Sequence, residues 1–521
     1  MFSPLTMGQI LFTNYVRIFV PTLISEVIQR RSRALEAGRA ALSWYSKHCD
    51  QISRDEEPEV SCFDPSTGDM IWSVRDCSVQ HIDTVVQAAR IAQPAWQNTL
   101  PAARAQLLNA CADVLEENSE VLAEILALET GKSFTHECKG EVALPVSIFR
   151  YFAGLVHEIK GRSIQAGPTL MGFTTHHPWG VVAGIVPWNV PLMFMAYKVA
   201  APLAVGNTVV IKMPEQATAS LAMVLRLILP LLPKGVVEFV SGTGAVAGEA
   251  LITHSQVDKI SFTGSVETGS HIYQHVARKM LAVTLELGGK SPMVILDDCD
   301  LNKAINGIIG SMRFTRAGQS CTASSRIFVP RSQMNQYREA LGGALNKLRI
   351  GDALDKRTDS GPIVTQAQQL RILRYIEKAR ADGLDVEEYG HIIDAELFEK
   401  GFFVRPHLVF DPEPSHPIAR EEVFGPVAMI FGYDTVESAM EQANDTEFGL
   451  SASIWGRDIN RCLSCAAAFR AGIIQINQNA IMLPGFSYGG IGISGVGKES
   501  SLEAMLETYM YEKTNIVNFG D

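Results

Sequence analysis

Val181-Val182-Ala183-Gly184-Ile185-Val186 is a short apolar run rich in β-branched side chains, followed directly by Pro187-Trp188-Asn189. A run of this kind, with no polar alternation, reads as a strand buried on both faces. Thr208-Val209-Val210-Ile211, Gly235 to Val240 and Lys259 to Phe262 repeat the pattern, and helical segments lie between them at Met193–Leu203, Ser220–Leu231 and Ala245–Ile252. Strand–helix alternation at this spacing predicts a parallel sheet with helices on both faces. A second alternating half runs from Leu281 to about Gln475, so the expected fold class is α/β, with two doubly wound domains and the chemistry between them. Upstream, Ile82, Val85, Val86 and Ala89 recur at helical steps within a helical stretch from Ser78 to Leu126, and Leu144–His157 reads as another helix. Phe63 to Gly68 reads as a turn between two extended pieces.

The chain has 521 residues, more than one core normally supports. With 47% apolar and 19% charged residues the composition is that of a globular protein, and the net charge of −11 argues against a nucleic-acid partner. Nine cysteines are too sparse and uneven for a disulfide framework, which points to a reducing compartment. Cys462 and Cys465 form a lone C-x-x-C in a helical segment with no second pair behind it, so no metal is expected. Residues Ile10 to Ile24 are largely apolar but carry Asn14, Arg17 and Pro21, too short and interrupted to span a bilayer. Arg30, Arg31, Arg33 and Arg39 follow, with Glu26 and Glu36 among them. The cytoplasm is the expected location, a mitochondrial presequence the alternative.

Cys321 stands in Ala317-Gly318-Gln319-Ser320-Cys321-Thr322-Ala323-Ser324-Ser325-Arg326, a loop-like run with no bulky side chain near the sulfur. Glu286 stands in Leu285-Glu286-Leu287-Gly288-Gly289-Lys290. A thiol on a permissive loop and a carboxylate at a Gly-Gly turn suggest a nucleophile with a separate water-activating base. A thiol that adds to a carbonyl carbon makes a tetrahedral alkoxide, and that alkoxide needs donors. Asn189, a short amide between Trp188 and Val190-Pro191, and the backbone N–H of Cys321 are the candidates. Taken alone, such an Asn reads as a turn residue, and most lone cysteines are inert.

These segments resemble the NAD(P)-dependent aldehyde dehydrogenase superfamily, from about Phe63 to about Asn518. The resemblance implies a Rossmann-like cofactor domain (61–158 and 180–286), a catalytic domain (287–490) and a small β oligomerisation arm (159–179 and 505–521). Residues 1–60 are left as an atypical extension, expected to be helical, with no strand pattern before Phe63. In Phe262-Thr263-Gly264-Ser265-Val266-Glu267-Thr268-Gly269 the strand-to-helix turn can face phosphate oxygens. By resemblance Ser265 would touch the pyrophosphate and Gly264 would let the nicotinamide approach. Gly242-Thr243-Gly244-Ala245-Val246-Ala247 fits a dinucleotide fingerprint on paper but lacks the ribose acid. The resemblance instead puts Gly244 and Gly248 on the adenine side.

Lys212 and Glu215 would bond the adenosine ribose; a carboxylate there repels a 2′-phosphate, which favours NAD over NADP. Glu422 would hold the nicotinamide ribose and Phe424 pack the ring, with Ile185, Pro187, Trp188, Phe262, Thr263 and Leu287 completing the cofactor contacts. Lys198 and Glu499 match positions that relay protons from Glu286, though a plain salt bridge reads equally well. The substrate tunnel is expected at Val190, Met193, Phe194, Tyr197, Thr315, Ser320, Thr322, Met482 and Tyr488, a mostly apolar and aromatic set. It suits a medium-sized apolar or aromatic aldehyde. Only Arg316 lies near, where a semialdehyde acid would call for two arginines. The implied reaction is NAD-dependent oxidation of the aldehyde to a free acid through a Cys321 thioester, since a relative that forms acyl-CoA commonly lacks the Glu286 base. A thiol hydrolase or a catalytically silent homologue are the alternatives. The terminal strand near Tyr509–Val517 would leave an unpaired edge alone, and by resemblance pairs with another subunit in a homodimer or homotetramer.

Overall fold

The computed structural model describes residues 7–52, 58–479 and 482–520. Parts of the expected extension at 1–6 and 53–57, and residue 521 of the expected arm, lie outside these residues.

Two sheets dominate. The first has six strands in the order Gly495–Val496, Ala282–Glu286, Lys259–Thr263, Val181–Ile185, Thr208–Lys212 and Val237–Val240. All pair in parallel except the short first one. Val181–Ile185, Thr208–Lys212 and Lys259–Thr263 are buried at every position, as strands covered on both faces must be. Counting the parallel strands along the chain, their spatial order is 3-2-1-4-5, the doubly wound arrangement. Its reversal falls between Val181–Ile185 and Lys259–Thr263, and ligands bind such sheets beyond the carboxyl ends of the strands at that point.

The second sheet has seven strands, ordered Asp385–Glu388, His407–Phe410, Val427–Tyr433, Arg326–Pro330, Pro292–Ile295, Ser451–Trp455 and Ile473–Ile476. Only Asp385–Glu388 runs antiparallel. The loop bearing Cys321 enters this sheet at Arg326. The six-stranded sheet therefore offers strand ends, and the seven-stranded sheet a loop, to the same seam.

Three features bear on the sequence expectation. Glu59–Phe63 is a strand, paired antiparallel with Met70–Arg75, giving the two extended pieces expected around the turn, but it begins inside the stretch 1–60 expected to be helical. The terminal strand Met510–Asn518 is not alone: it pairs along its length with Leu170–Pro178, which pairs on its other side with Ser163–Gln165. The chain thus builds its own three-stranded arm, and of its two edges the long one is the outer side of Met510–Asn518. The third is the extent of the N-terminal helix, Met7–Ile52. At 1.5 Å per residue it is about 70 Å long. Ala34, Ala41, Tyr45 and Cys49 are buried along one face of it. Arg31 pairs with Asp352 at 2.7 Å, Arg33 Nε donates to Glu124 at 3.1 Å, and Arg30 donates to the Leu354 carbonyl. Among the described residues no helix is long and apolar enough to cross a membrane.

Candidate active site

The Cys321 loop is held in a shape it would not adopt alone. Arg313 and Ala317 take left-handed backbone angles, φ 55° and 49°, and non-glycine residues there cost about 1–3 kcal/mol each. Gly318, at φ 69°, has to be glycine: a Cβ on it would lie 2.1 Å from the Gly425 carbonyl oxygen. Gln319 ties the loop down by accepting from Val364 N–H at 3.0 Å. Arg316 donates from Nε to Glu137 at 2.9 Å, and Thr315 donates to the same carboxylate. Arg316 is therefore a loop brace. It is not the only arginine near, as the sequence suggested: Arg313 is half-buried within electrostatic reach of Cys321 and Tyr488, and burial, with Arg316 next, pushes it down to about 10.

Glu286 ends the strand Ala282–Glu286, and its chain turns at once through Gly288-Gly289. A Cβ on Gly289 would stand 2.6 Å from the Cys321 carbonyl oxygen, so the turn passes directly against the thiol's backbone. Glu286 is 1% exposed. Burial pushes its carboxyl well above the ordinary range and Glu499 adds to this, while Lys198, Lys498 and the Gly490 backbone pull it back. Behind it lies a closed polar cluster. Lys198 Nζ stands 2.8 Å from Glu499 Oε1, and Ser261 links the pair by accepting from Lys198 and donating to Glu499, each at 2.8 Å.

A cavity of about 300 Å³ joins these groups. Cys321, Glu286 and Asn189 all line it, with Pro187, Trp188, Thr263, Gly264, Ser265, Leu287, Glu422 and Phe424 around them. Asn189 donates from Nδ2 to the Gln319 carbonyl at 3.3 Å, and its own carbonyl accepts from Lys132 at 2.8 Å. An amide nitrogen carries two hydrogens, so one remains for an oxygen in the cavity. Burial pushes the Cys321 thiol up to about 11, and a hydrogen bond with Tyr488, at 3.1 Å, pulls against that. The partner of the sulfur is thus a phenol, not the imidazole a thiol hydrolase needs.

Tyr488→Phe is expected to raise the pKa of Cys321 and slow its alkylation by iodoacetamide roughly tenfold at neutral pH, since a hydrogen bond to a charged group is worth about 1.5–3 kcal/mol. An unchanged alkylation rate across the pH range would show that the phenol does not tune the thiol.

A second cavity of about 280 Å³ shares Pro187, Trp188, Thr263 and Gly264 with the first, making one slot along the strand ends. Ile185, Lys212, Glu215, Gly244, Gly248 and Phe262 line it, and so do Ile252, His271 and Ile272, which the sequence reading passed over. The slot fits a dinucleotide. A Cβ built on Gly244 meets no atom within 4 Å, leaving open space for a flat ring. Lys212 and Glu215 stand 3.5 Å apart at its wall. Ser265 caps the helix Val266–Ala277 by accepting from Thr268 N–H at 3.2 Å, so the helix start faces the junction of the two cavities. Gly264 is packed too tightly for any side chain, with the Phe262 ring 2.4 Å from a built Cβ. Glu422 accepts from Gly289 N–H at 2.9 Å and is pushed up to about 7 by burial. Phe424 stands edge-on to Trp188, ring centroids 5.4 Å apart.

The expected tunnel residues fall outside both cavities. Val190, Met193 and Phe194 are buried at the start of the helix Pro191–Ala204, and Phe194 tilts against Tyr488 with centroids 6.1 Å apart. Met482 is half-buried against the same apolar cluster. Ser320 and Thr322 bond to each other at 3.2 Å. The Thr315 hydroxyl is taken by Glu137. Tyr197 accepts from Ser500 at 2.8 Å and packs edge-on to Phe152, which encloses it rather than presenting its face to a cation.

Residues 52–515 match the family model described as the aldehyde dehydrogenase family. Retinal dehydrogenase 2 of Homo sapiens is 37% identical over 458 residues, 87% of this chain and 87% of that protein. A betaine aldehyde dehydrogenase of Mesorhizobium japonicum is 35% identical over 460 residues, 88% of this chain and 93% of that protein. Among solved structures, the NAD+ complex of an aldehyde dehydrogenase from Bacillus cereus matches with a TM-score of 0.85 at 36% identity, over 89% of this chain and 94% of that one.

Proposed function

Because the chain belongs to the aldehyde dehydrogenase family, we propose that it oxidises an aldehyde to the free carboxylic acid with NAD, using Cys321 as nucleophile and Glu286 as base. The observation that carries this reading is the convergence of Cys321, Asn189 and Glu286 on one cavity continuous with the dinucleotide slot. Cys321 Sγ, its proton passed to Glu286, bonds to the aldehyde carbon. The carbonyl oxygen becomes an alkoxide held by Asn189 Nδ2 and the Cys321 N–H. As the C=O reforms, the C–H bond breaks and the hydride leaves, giving a thioester on Cys321. The dinucleotide supplies the acceptor for that hydride. Glu286, once it has given up the thiol proton, takes a proton from water; the water oxygen bonds to the acyl carbon, the S–C bond breaks, the acid is released and Cys321 leaves as the thiolate, ready to add to the next aldehyde. Lys198, Ser261 and Glu499 lie behind Glu286 as the outlet for its proton.

Ser265 and the helix start behind it would hold the pyrophosphate, Lys212 and Glu215 the adenosine ribose, and Glu422 the nicotinamide ribose. Gly244 and Gly248 would border the adenine. Ile185, Pro187, Trp188, Phe262, Thr263, Gly264, Leu287 and Phe424 would wall the slot. Glu215 disfavours a 2′-phosphate, so NAD is the preferred cofactor. The retinal and betaine-aldehyde relatives stand at 37% and 35% identity, so overall likeness does not choose the substrate; local wall chemistry does. Val190, Met193, Phe194 and Tyr488 do not line the two cavities, but Cys321 and Met482 pack against the apolar cluster they form, and that surround of the thiol favours a medium-sized apolar or aromatic aldehyde. We assign the outer edge of Met510–Asn518 to pairing between copies in a homodimer or homotetramer. Nine free cysteines support a cytoplasmic location.

The test is NADH formation over a panel of aldehydes, with NAD or NADP and with or without coenzyme A. The expected result is turnover that does not need coenzyme A, a higher kcat/KM with NAD, and a preference for benzaldehyde-like and medium-chain aldehydes over betaine aldehyde. No reduced cofactor with any aldehyde would overturn the reading.

A further inference from the structure

Behind the adenosine end of the slot, the end of the N-terminal helix meets the cofactor domain in a compact group of soft donors. Sγ of Cys49, Sγ of Cys77 and an imidazole nitrogen of His81 all lie within 4.8 Å of one another. All three residues are 0% exposed. They come from separate places: Cys49 from the last turn of Met7–Ile52, Cys77 from the residue before the Ser78 cap, and His81 from the first turn of Val79–Gln97. His81 N–H donates to Ser78 Oγ at 3.2 Å, which fixes the turn joining Cys77 to His81. Tyr45, one helical turn before Cys49, puts its hydroxyl 3.4 Å from Cys77 Sγ and donates to Ser241 Oγ at 2.8 Å. Ser241 Oγ lies 3.8 Å from the same sulfur.

We propose that Cys49, Cys77 and His81 bind one zinc ion that fastens the N-terminal helix to the cofactor domain. Zinc takes thiolate sulfur at about 2.3 Å and imidazole nitrogen at about 2.0–2.1 Å, so tetrahedral ligand atoms sit roughly 3.5–3.8 Å apart. Atoms already within 4.8 Å need only close slightly around an ion. The Tyr45 hydroxyl, 3.4 Å from Cys77 Sγ, and the Ser241 hydroxyl, 3.8 Å from it, are the candidates for the fourth position. Binding releases two thiol protons to solvent, and two thiolates with a neutral imidazole balance the double charge of Zn(II). The loaded site is neutral, which a dry core tolerates; a monovalent copper ion would leave one negative charge buried there. The site also backs the slot. Asp76, next to Cys77, accepts from Thr243 N–H at 2.8 Å and Thr243 Oγ1 at 2.9 Å, holding the loop that leads to Gly244.

The full-length chain, without an affinity tag and carrying Cys321→Ala so that the slot's thiol cannot bind metal, is stripped with chelator, reloaded with Zn(II) and gel-filtered. Metal per chain and thermal unfolding are then measured. The expected result is one zinc per chain and a higher Tm on loading. Co(II) in place of zinc should give a thiolate-to-cobalt charge-transfer band that Cys77→Ser and Cys49→Ser each abolish. Substoichiometric zinc with no cobalt band would overturn the proposal. So would equal zinc in the Cys77→Ser chain, or an intact mass two units low from a Cys49–Cys77 disulfide. Should the serine variants not fold, the zinc stoichiometry and cobalt spectrum of the Cys49/Cys77-intact chain decide alone.

Discussion

Cys321→Ala is expected to abolish aldehyde-dependent NADH formation, with a loss on the order of 10⁴-fold or more, the scale seen when the nucleophile of a covalent catalyst is removed. The reason is chemical: without a sulfur to add, the aldehyde carbon stays planar and has no hydride to give. The slot lies beside the thiol and does not depend on it, since Lys212, Glu215 and Phe262 line the second cavity and Cys321 only the first. NAD binding, followed by quenching of tryptophan fluorescence, should therefore persist in the variant. Turnover retained at more than a few per cent with NAD bound would remove Cys321 from the chemistry and leave the fold assignment standing.

Glu286→Gln is expected to leave acylation partly intact and stop hydrolysis. Rapid mixing should show a burst approaching one NADH per subunit, then a steady rate lower by roughly 10²–10⁴-fold, the usual contribution of a positioned base. Glutamine keeps the shape of the buried side chain, so the fold should be retained. The pH dependence carries a sign. Glu286 is a base only when ionised, and burial raises its pKa well above the ordinary carboxyl range. Wild-type hydrolysis should rise with pH through that raised value and fall away below it, at a pH where an exposed glutamate would still be charged. The variant should show no such rise. Steady turnover in Glu286→Gln equal to wild type would assign water activation to another group.

Much of this was legible in the chain because it is written locally. The β-branched runs at Val181 and Thr208 form buried strands, and every expected cofactor residue lines one of the two joined cavities. What escaped depends on distant segments. Tyr488 was expected in the tunnel, but its bond to Cys321, 167 positions away, is announced by no periodicity. Arg313 reads as loop filler until its left-handed backbone brings it within electrostatic reach of the thiol. The terminal strand looked unpaired because its partner, Leu170–Pro178, lies more than three hundred residues upstream. Cys77 and His81 lie close together in the chain, but Cys49 is brought in by a 46-residue helix, so no second close pair marks the set as a metal motif.

Cys321 is carried by the seven-stranded sheet, while Glu286 and Asn189 are carried by the six-stranded one. Neither half of the polypeptide, made separately, would own a complete set of reacting groups. Turnover thus doubles as a gauge of registration: a displacement of an ångström across the seam would silence the enzyme with each half still correctly folded. Fragment complementation, in which two inert pieces regain activity on mixing, would be the direct sign of that divided custody.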